Sequence, residues 1–185
     1  MPGSTKCTAC VLVIVVAIVI LVVVLLLGLS PSSPTYTIVG FSIPVSSNDR
    51  NATFTFFLNV KNRNKFSNVN HDEIKLAFDY NEDILANITL PSFREKFSGT
   101  HHFAEEVEAN ARVWKALVNA IATNKTAEVK VDLVTRGSWA VHHAHMSKSW
   151  KHLQGRVPIG SDGKIPRKKK IKLKRVPKKQ ISSKK

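Results

Sequence analysis

Thr53-Phe-Thr-Phe-Phe-Leu-Asn-Val-Lys61 decides how the chain is read. Phe54, Phe56, Leu58 and Val60 fall on one face, with Thr53, Thr55, Asn59 and Lys61 opposite. A period of two is that of a strand with one face on a core and one in water. The alternation returns downstream. Ile74, Leu76, Phe78 and Tyr80 alternate with Lys75, Ala77 and Asp79, and a turn at Asn81–Glu82 leads into Ile84, Ala86, Ile88 and Leu90. Val129, Val131 and Leu133 alternate with Lys130 and Asp132. A turn around Gly137, a His-rich stretch and a last strand ending near Ile159 follow, before a turn at Gly160-Ser-Asp-Gly163. Half-buried strands at short spacing predict an antiparallel sheet.

One segment has another period. Over Ala104–Thr123 the apolar residues Val107, Ala111, Trp114, Val118 and Ile121 recur every three or four positions, which predicts an amphipathic helix. Glu105 and Glu106 then fall in its first turn, where carboxylates complement the helix dipole. The expected fold is all-β dominated: an antiparallel β-sandwich with one amphipathic helix against it.

Before these signals, Val11–Leu29 runs nineteen residues without a charge or an amide, and the first seventeen are all Val, Ile, Leu or Ala. As a helix it spans about 28 Å, close to the ~30 Å hydrocarbon core of a bilayer. Eleven of the seventeen are β-branched, but in lipid a single segment satisfies its backbone only as a helix. The run exceeds the ~7–15 apolar residues of a signal peptide, and Pro31 follows Gly28-Leu29-Ser30 at once. An uncleaved transmembrane helix is therefore expected over a cleaved leader. Lys6 and the amino terminus precede the run, whereas the first basic residue after it is Arg50. By the positive-inside rule, residues 1–10 are cytosolic and the chain beyond the helix is outside or in the lumen. Residues 30–34 (Ser-Pro-Ser-Ser-Pro) read as a spacer, 35–163 as the folded domain and 164–185 as a tail.

Cys7 and Cys10 are the only cysteines, so the large part folds without a disulfide. Their position makes them candidates for S-palmitoylation, with inert thiols the alternative. A single C-x-x-C without a second ligand pair is a poor zinc or redox site.

The net charge of +15 is unevenly spread. Residues 164–185 hold twelve of the 28 Lys and Arg and no acid, leaving sixteen basic against 13 acidic residues elsewhere. Arg167, Lys168, Lys169, Lys170, Lys172, Lys174, Arg175, Lys178 and Lys179 are candidate polyanion-binding residues. Ile171, Leu173, Val176 and Ile181, with Pro166 and Pro177, fit neither a clean helix nor a core strand, so the tail is expected to be disordered. Such runs also mark nuclear localisation or nucleic-acid contact. A tail displayed outside meets neither, and no nucleic-acid partner is expected. An extracellular polyanion, such as acidic pectin or anionic lipid, is the expected ligand, and a functionless extension the alternative.

Val60-Lys-Asn-Arg-Asn-Lys65, Leu90-Pro-Ser-Phe93 and Asp162-Gly-Lys164 are short motifs at strand ends. With the anchor and the order of strands and helix, they resemble the plant harpin-induced and non-race-specific disease-resistance-like proteins, whose outer part is the late embryogenesis abundant group 2 domain. The resemblance covers about Pro34–Lys164 plus the anchor. Arg63 stands where that family commonly has Pro. The resemblance implies a fibronectin-like sandwich, a plasma-membrane address (the endoplasmic reticulum membrane being the alternative) and a role in plant defence or stress response with an unidentified protein partner. It implies no catalytic residues and no cofactor.

The sequence holds no G-x-S-x-G elbow, P-loop, G-x-G-x-x-G or H-E-x-x-H. His142, His143 and His145, with His152 further on, form the one metal-like cluster, without a carboxylate between Gly137 and Gly160. Three sequons offer glycosylation candidates at Asn51, Asn87 and Asn124. The expectation is a single-pass, non-enzymatic interaction protein. Its rivals are a secreted or anchored cationic protein acting on cell-wall or microbial polyanions, and a His-dependent metal enzyme.

Overall fold

The computed structural model describes residues 4–28, 32–44, 52–65, 67–124, 126–141, 144–145, 148–166 and 169–176. The chain divides into two compact units, Met1–Ser32 and Ser33–Lys185.

The first unit is one helix, α1 (Ser4–Gly28), of 25 residues. Side chains are described over residues 10–23 and all of them are exposed. Those fourteen residues alone rise about 21 Å, and among the described residues no helix is long and apolar enough to cross a membrane.

The second unit holds two antiparallel sheets. One has four strands in the order β10 (Ile171–Lys172), β1 (Thr35–Ser42), β2 (Thr53–Lys61), β6 (Thr100–Glu108). The other follows β11 (Lys174–Arg175), β9 (Ser149–Gly160), β7 (Thr126–Val141), β3 (Asn68–Tyr80), β4 (Asp83–Leu90). Off this path β5 (Phe93–Glu95) pairs β3, and β8 (Ala144–His145) pairs β7. The alternating residues form the core as expected, with Phe54, Phe56, Leu58, Val60, Ile74, Phe78, Val129, Val131 and Leu133 each 0–1 % exposed. Phe78 joins the sheets, its ring 5.0 Å from Phe54, 5.0 Å from Phe56 and 6.0 Å from Phe41. The turn at Asn81–Glu82 has φ of 50° and 69°, the left-handed pair of a type I′ hairpin.

Several expectations are corrected. The first half of the expected helix is β6, paired to β2 from Thr53↔Glu108 to Lys61↔Thr100. Phe103 and Val107 point inward at a period of two, because the open edge of β2 offers those backbones a ladder. The helix is α2 (Ala111–Asn124), so Glu105 and Glu106 are not in its first turn. Asn110 caps it, with Oδ1 accepting from the Arg112 N–H at 3.0 Å and the Val113 N–H at 3.4 Å. Val113, Trp114, Leu117 and Ile121 are its buried stripe, and α2 lies against β7 and β4.

In β4 the ladder slips between Phe78 and Asp79. This bulge turns Ile84 out, 56 % exposed, and puts Leu85 in its place. Gly137 is no turn: it lies within β7, paired to both His71 and Ser149.

The tail is not disordered over residues 169–176, nor does the domain end at Gly163. Ile171–Lys172 pairs β1, Lys174–Arg175 pairs β9, and Leu173 between them is 4 % exposed in the core. Gly155 makes room for it, since a Cβ there would lie 2.6 Å from Leu173 Cδ2.

Leu173→Ala is expected to cost about 3 kcal/mol of stability, as core Leu→Ala changes do. The outward Lys174→Ala should stay within about 0.5 kcal/mol. Urea unfolding of the two variants against the parent chain checks both.

Candidate functional site

The turn after β9 starts the site. Gly163 takes φ of 71°, and Asp162 Oδ1 accepts from the Lys164 N–H at 3.0 Å. Lys164 forms a bridge with Ser42, and Ile43 N–H donates to Gly163 O at 2.8 Å, which pins the segment to the end of β1. Lys169 N–H donates to Pro166 O at 3.1 Å, and the chain returns along β1 as β10.

Between this segment and the outer face of the four-stranded sheet lies a hollow of about 540 Å³. Its floor is a bulge. The ladder slips between Ile38 and Gly40, and Gly40 faces Phe57. Phe57 is 41 % exposed, and a Cβ on Gly40 would come within 2.7 Å of its ring. The glycine therefore lets an aromatic ring lie flat on the sheet. Exposed Lys164, Lys169 and Lys170 form the rim with Ile165 and Pro166, and among the described residues no Asp or Glu lines the hollow. An apolar floor under three ammonium groups suits an anion with a ring or chain body. Sequence reasoning passed over the floor, although Phe57 stands on the polar parity of β2, where an aromatic is out of place.

The other candidates are dispersed. Lys172 is exposed on β10, while Lys174 and Arg175 are exposed on β11 of the other sheet. Arg167, Lys168, Lys178, Lys179, Asn51, His142 and His143 lie outside the described residues. Asn87 is exposed on β4, and Asn124 is the last residue of α2. Cys7 falls within α1, and Cys10 is a free, exposed thiol. His145 belongs to β8, and His152 Nε2 is 3.4 Å from Asp132. Among the described residues no three His, Cys, Asp or Glu are placed to share a metal.

A second cluster is buried between the sheets. His71 Nδ1 shares a 3.1 Å hydrogen bond with Tyr36 Oη, and its ring stacks on Phe93 at 4.4 Å. His101 covers the same phenyl ring at 4.5 Å and lies 3.8 Å from Glu95 Oε2. His71 Nε2 is buried without a partner among the described residues. Burial, followed by the charges of Lys151 and His101, pushes His71 down to about 4. Burial and then Arg175 push Lys151 down to about 8, while its Nζ lies 5.1 Å from the Trp139 ring. Burial raises the Tyr36 hydroxyl well above its ordinary value. The depressed value of His71 bears directly on stability.

No family model matches the chain, and no curated protein does. Several solved structures are similar to part of it. A crystal structure of an Archaeoglobus fulgidus protein is 10% identical, with 71% of this chain and 97% of that one covered and a TM-score of 0.37. A solution structure from Arabidopsis thaliana is 10% identical over 71% of this chain and 83% of that one, at a TM-score of 0.49. A solution structure described as a candidate late embryogenesis abundant (LEA) protein is 15% identical over 70% and 72%, at 0.39. At these identities and scores the likenesses assign neither family nor activity.

The folded state holds His71 neutral, so its contribution is complete above the unfolded value of about 6.5 and is lost as pH falls toward 4. The expected loss is about 3 kcal/mol. Urea unfolding between those pH values checks it, and His71→Gln should flatten the decline while lowering stability at neutral pH.

Proposed function

We propose that the chain is a single-pass membrane-anchored, non-enzymatic interaction protein that binds an acidic polysaccharide outside the cell. The observation that carries this is the convergence of Lys164, Lys169 and Lys170 over Phe57 with no acid among the described lining residues. Lys164 is bridged to Ser42, the Lys169 N–H donates to Pro166 O and β10 follows Lys170, so less conformational entropy is lost on binding than for a free tail. The exposed ring floor favours a sugar carboxylate over a lipid headgroup, since it offers a stacking surface beside the charge. Val11–Leu29 supplies the anchor in this reading, with Lys6 on the cytosolic side. The exposed Asn87 supports an outer, glycosylated domain. Placement at the plasma membrane and a role in plant defence or stress response rest on the three motifs, whose residues resemble the harpin-induced and disease-resistance-like proteins.

The full chain in neutral phosphatidylcholine nanodiscs should bind polygalacturonate, and binding should weaken steeply between about 50 and 300 mM salt as counterion release predicts. Changing Lys164, Lys169 and Lys170 together to Gln should weaken it about tenfold or more, ~1.4 kcal/mol. Equal binding to fully methyl-esterified pectin, or indifference to salt, would sink the reading.

Sidedness is checked separately. In sealed vesicles of native orientation, external protease should degrade the folded unit and glycosidase should shift its size. A protected, unshifted domain would place it in the cytosol.

A further inference from the structure

The outer face of the seven-stranded sheet is laced by cross-strand pairs. Lys130 Nζ lies 3.3 Å from Asp79 and 2.6 Å from Asp132, Gln154 Nε2 donates to Asp132 at 2.9 Å, and Arg156 meets Glu128 at 3.0 Å. At one end of the face this lacing stops. Trp150 stands there 66 % exposed, with the Arg136 guanidinium carbon 5.8 Å from the indole centroid. The pairing of β3 with β7 slips between His71 and Ile74, so Asp72 and Glu73 drop out of the ladder. They line a hollow of about 200 Å³ together with Lys75, Val134, Arg136 and Trp150. Arg136 Nε is buried with no hydrogen-bond partner among the described residues. Among those residues no ion pair joins Glu73, Lys75 or Arg136, while Asp72 meets Lys148 at 3.4 Å.

We propose that this hollow binds one neutral pyranose ring of a polysaccharide, stacked on Trp150. A sugar ring has an apolar face of C–H groups and an edge of hydroxyls that both donate and accept. The indole offers the wide apolar platform. Arg136 and Lys75 offer donors, and Glu73 offers an acceptor. An anion would meet Glu73 and a cation would meet Arg136 and Lys75, so the mixed signs select a neutral polyol. A specific protein interface covers about 800 Å² on each partner, far more surface than this one hollow presents. The buried Arg136 Nε beside the exposed Trp150 gives the hollow one polar group aimed next to an apolar platform, the composition of a small-molecule site. The site is on the other sheet from the lysine-rimmed hollow and stands if that reading fails.

The test titrates the full chain in phosphatidylcholine nanodiscs with cellohexaose, xylohexaose and mannohexaose by calorimetry. At least one should bind with an affinity indifferent to salt between about 50 and 300 mM, unlike a counterion-release site. Trp150→Ala should weaken it at least tenfold, ~1.4 kcal/mol, and Trp150→Tyr should restore most of it. The Lys164, Lys169 and Lys170 variant should bind like the parent. A tri-galacturonate arm separates an acidic-sugar preference, which would overturn the neutral assignment if it bound more tightly. Equal binding by Trp150→Ala, or no binding of any hexaose below about 10 mM, would overturn the site.

Discussion

Leu173 seated against Gly155 closes this sandwich. Its backbone N–H donates to Tyr36 O at 3.0 Å on the four-stranded sheet, and three residues later Val176 N–H donates to His152 O at 3.1 Å on the other. On either side of Leu173, Ile171–Lys172 and Lys174–Arg175 extend one sheet each. With the only cysteines at Cys7 and Cys10, no disulfide ties the sheets. A hydrogen-bonded crossover with a core leucine at its centre does so instead. The same crossover fixes the lysine-rimmed hollow, because the chain between Lys164 and Ile171 has both ends anchored on β1. Loosening Leu173 therefore loosens the cation array as well as the core.

The sequence was legible wherever one side of a strand faces the core for its whole length. Phe54 to Val60, Ile74 to Tyr80 and Val129 to Leu133 needed no partner to be recognised. It was illegible where a distant partner decides. Phe103 to Val107 can be fitted to a helix or a strand, and only the vacant edge of β2 selects the strand. Gly137 is small enough to suggest a turn, yet ladders on both sides keep it extended. Ile171-Lys-Leu-Lys174 does alternate, but four residues do not stand out from a lysine run. Of the candidate site, the cations were visible and the floor was not. Phe57 breaks the parity of β2, and the reason for it lies in Gly40 on another strand.

The motifs that suggest a family turn out to be folding instructions. Asn62, 0 % exposed, donates from Nδ2 to Ser67 O at 2.8 Å and to Lys96 O at 3.0 Å. Its Oδ1 accepts from the Asn64 N–H at 3.0 Å. Two loops far apart in sequence are thus held by one amide, and its loss would strand several buried polar groups. Phe93 fills the gap between His71 and His101, and Gly163 supplies the positive φ that lets Lys164 reach Ser42. Function has to be argued from the faces.

On the faces, packing leaves the charge unexplained. The crossover buries Leu173 and half-buries Ile171, while the alternating Lys170, Lys172 and Lys174 are exposed. Exposed Lys169, Lys170, Lys172 and Lys174 could be any soluble residue without loss to the fold. Elsewhere the domain balances several of its cations, as Lys130 with Asp79 and Asp132, and Arg156 with Glu128. Gathering unbalanced ammonium groups on an ordered segment raises their mutual repulsion, an electrostatic cost that compact proteins ordinarily reduce by mixing signs. An anion at the rim, as proposed, would offset that cost, and the exposed ring of Phe57 would restrict which anions fit.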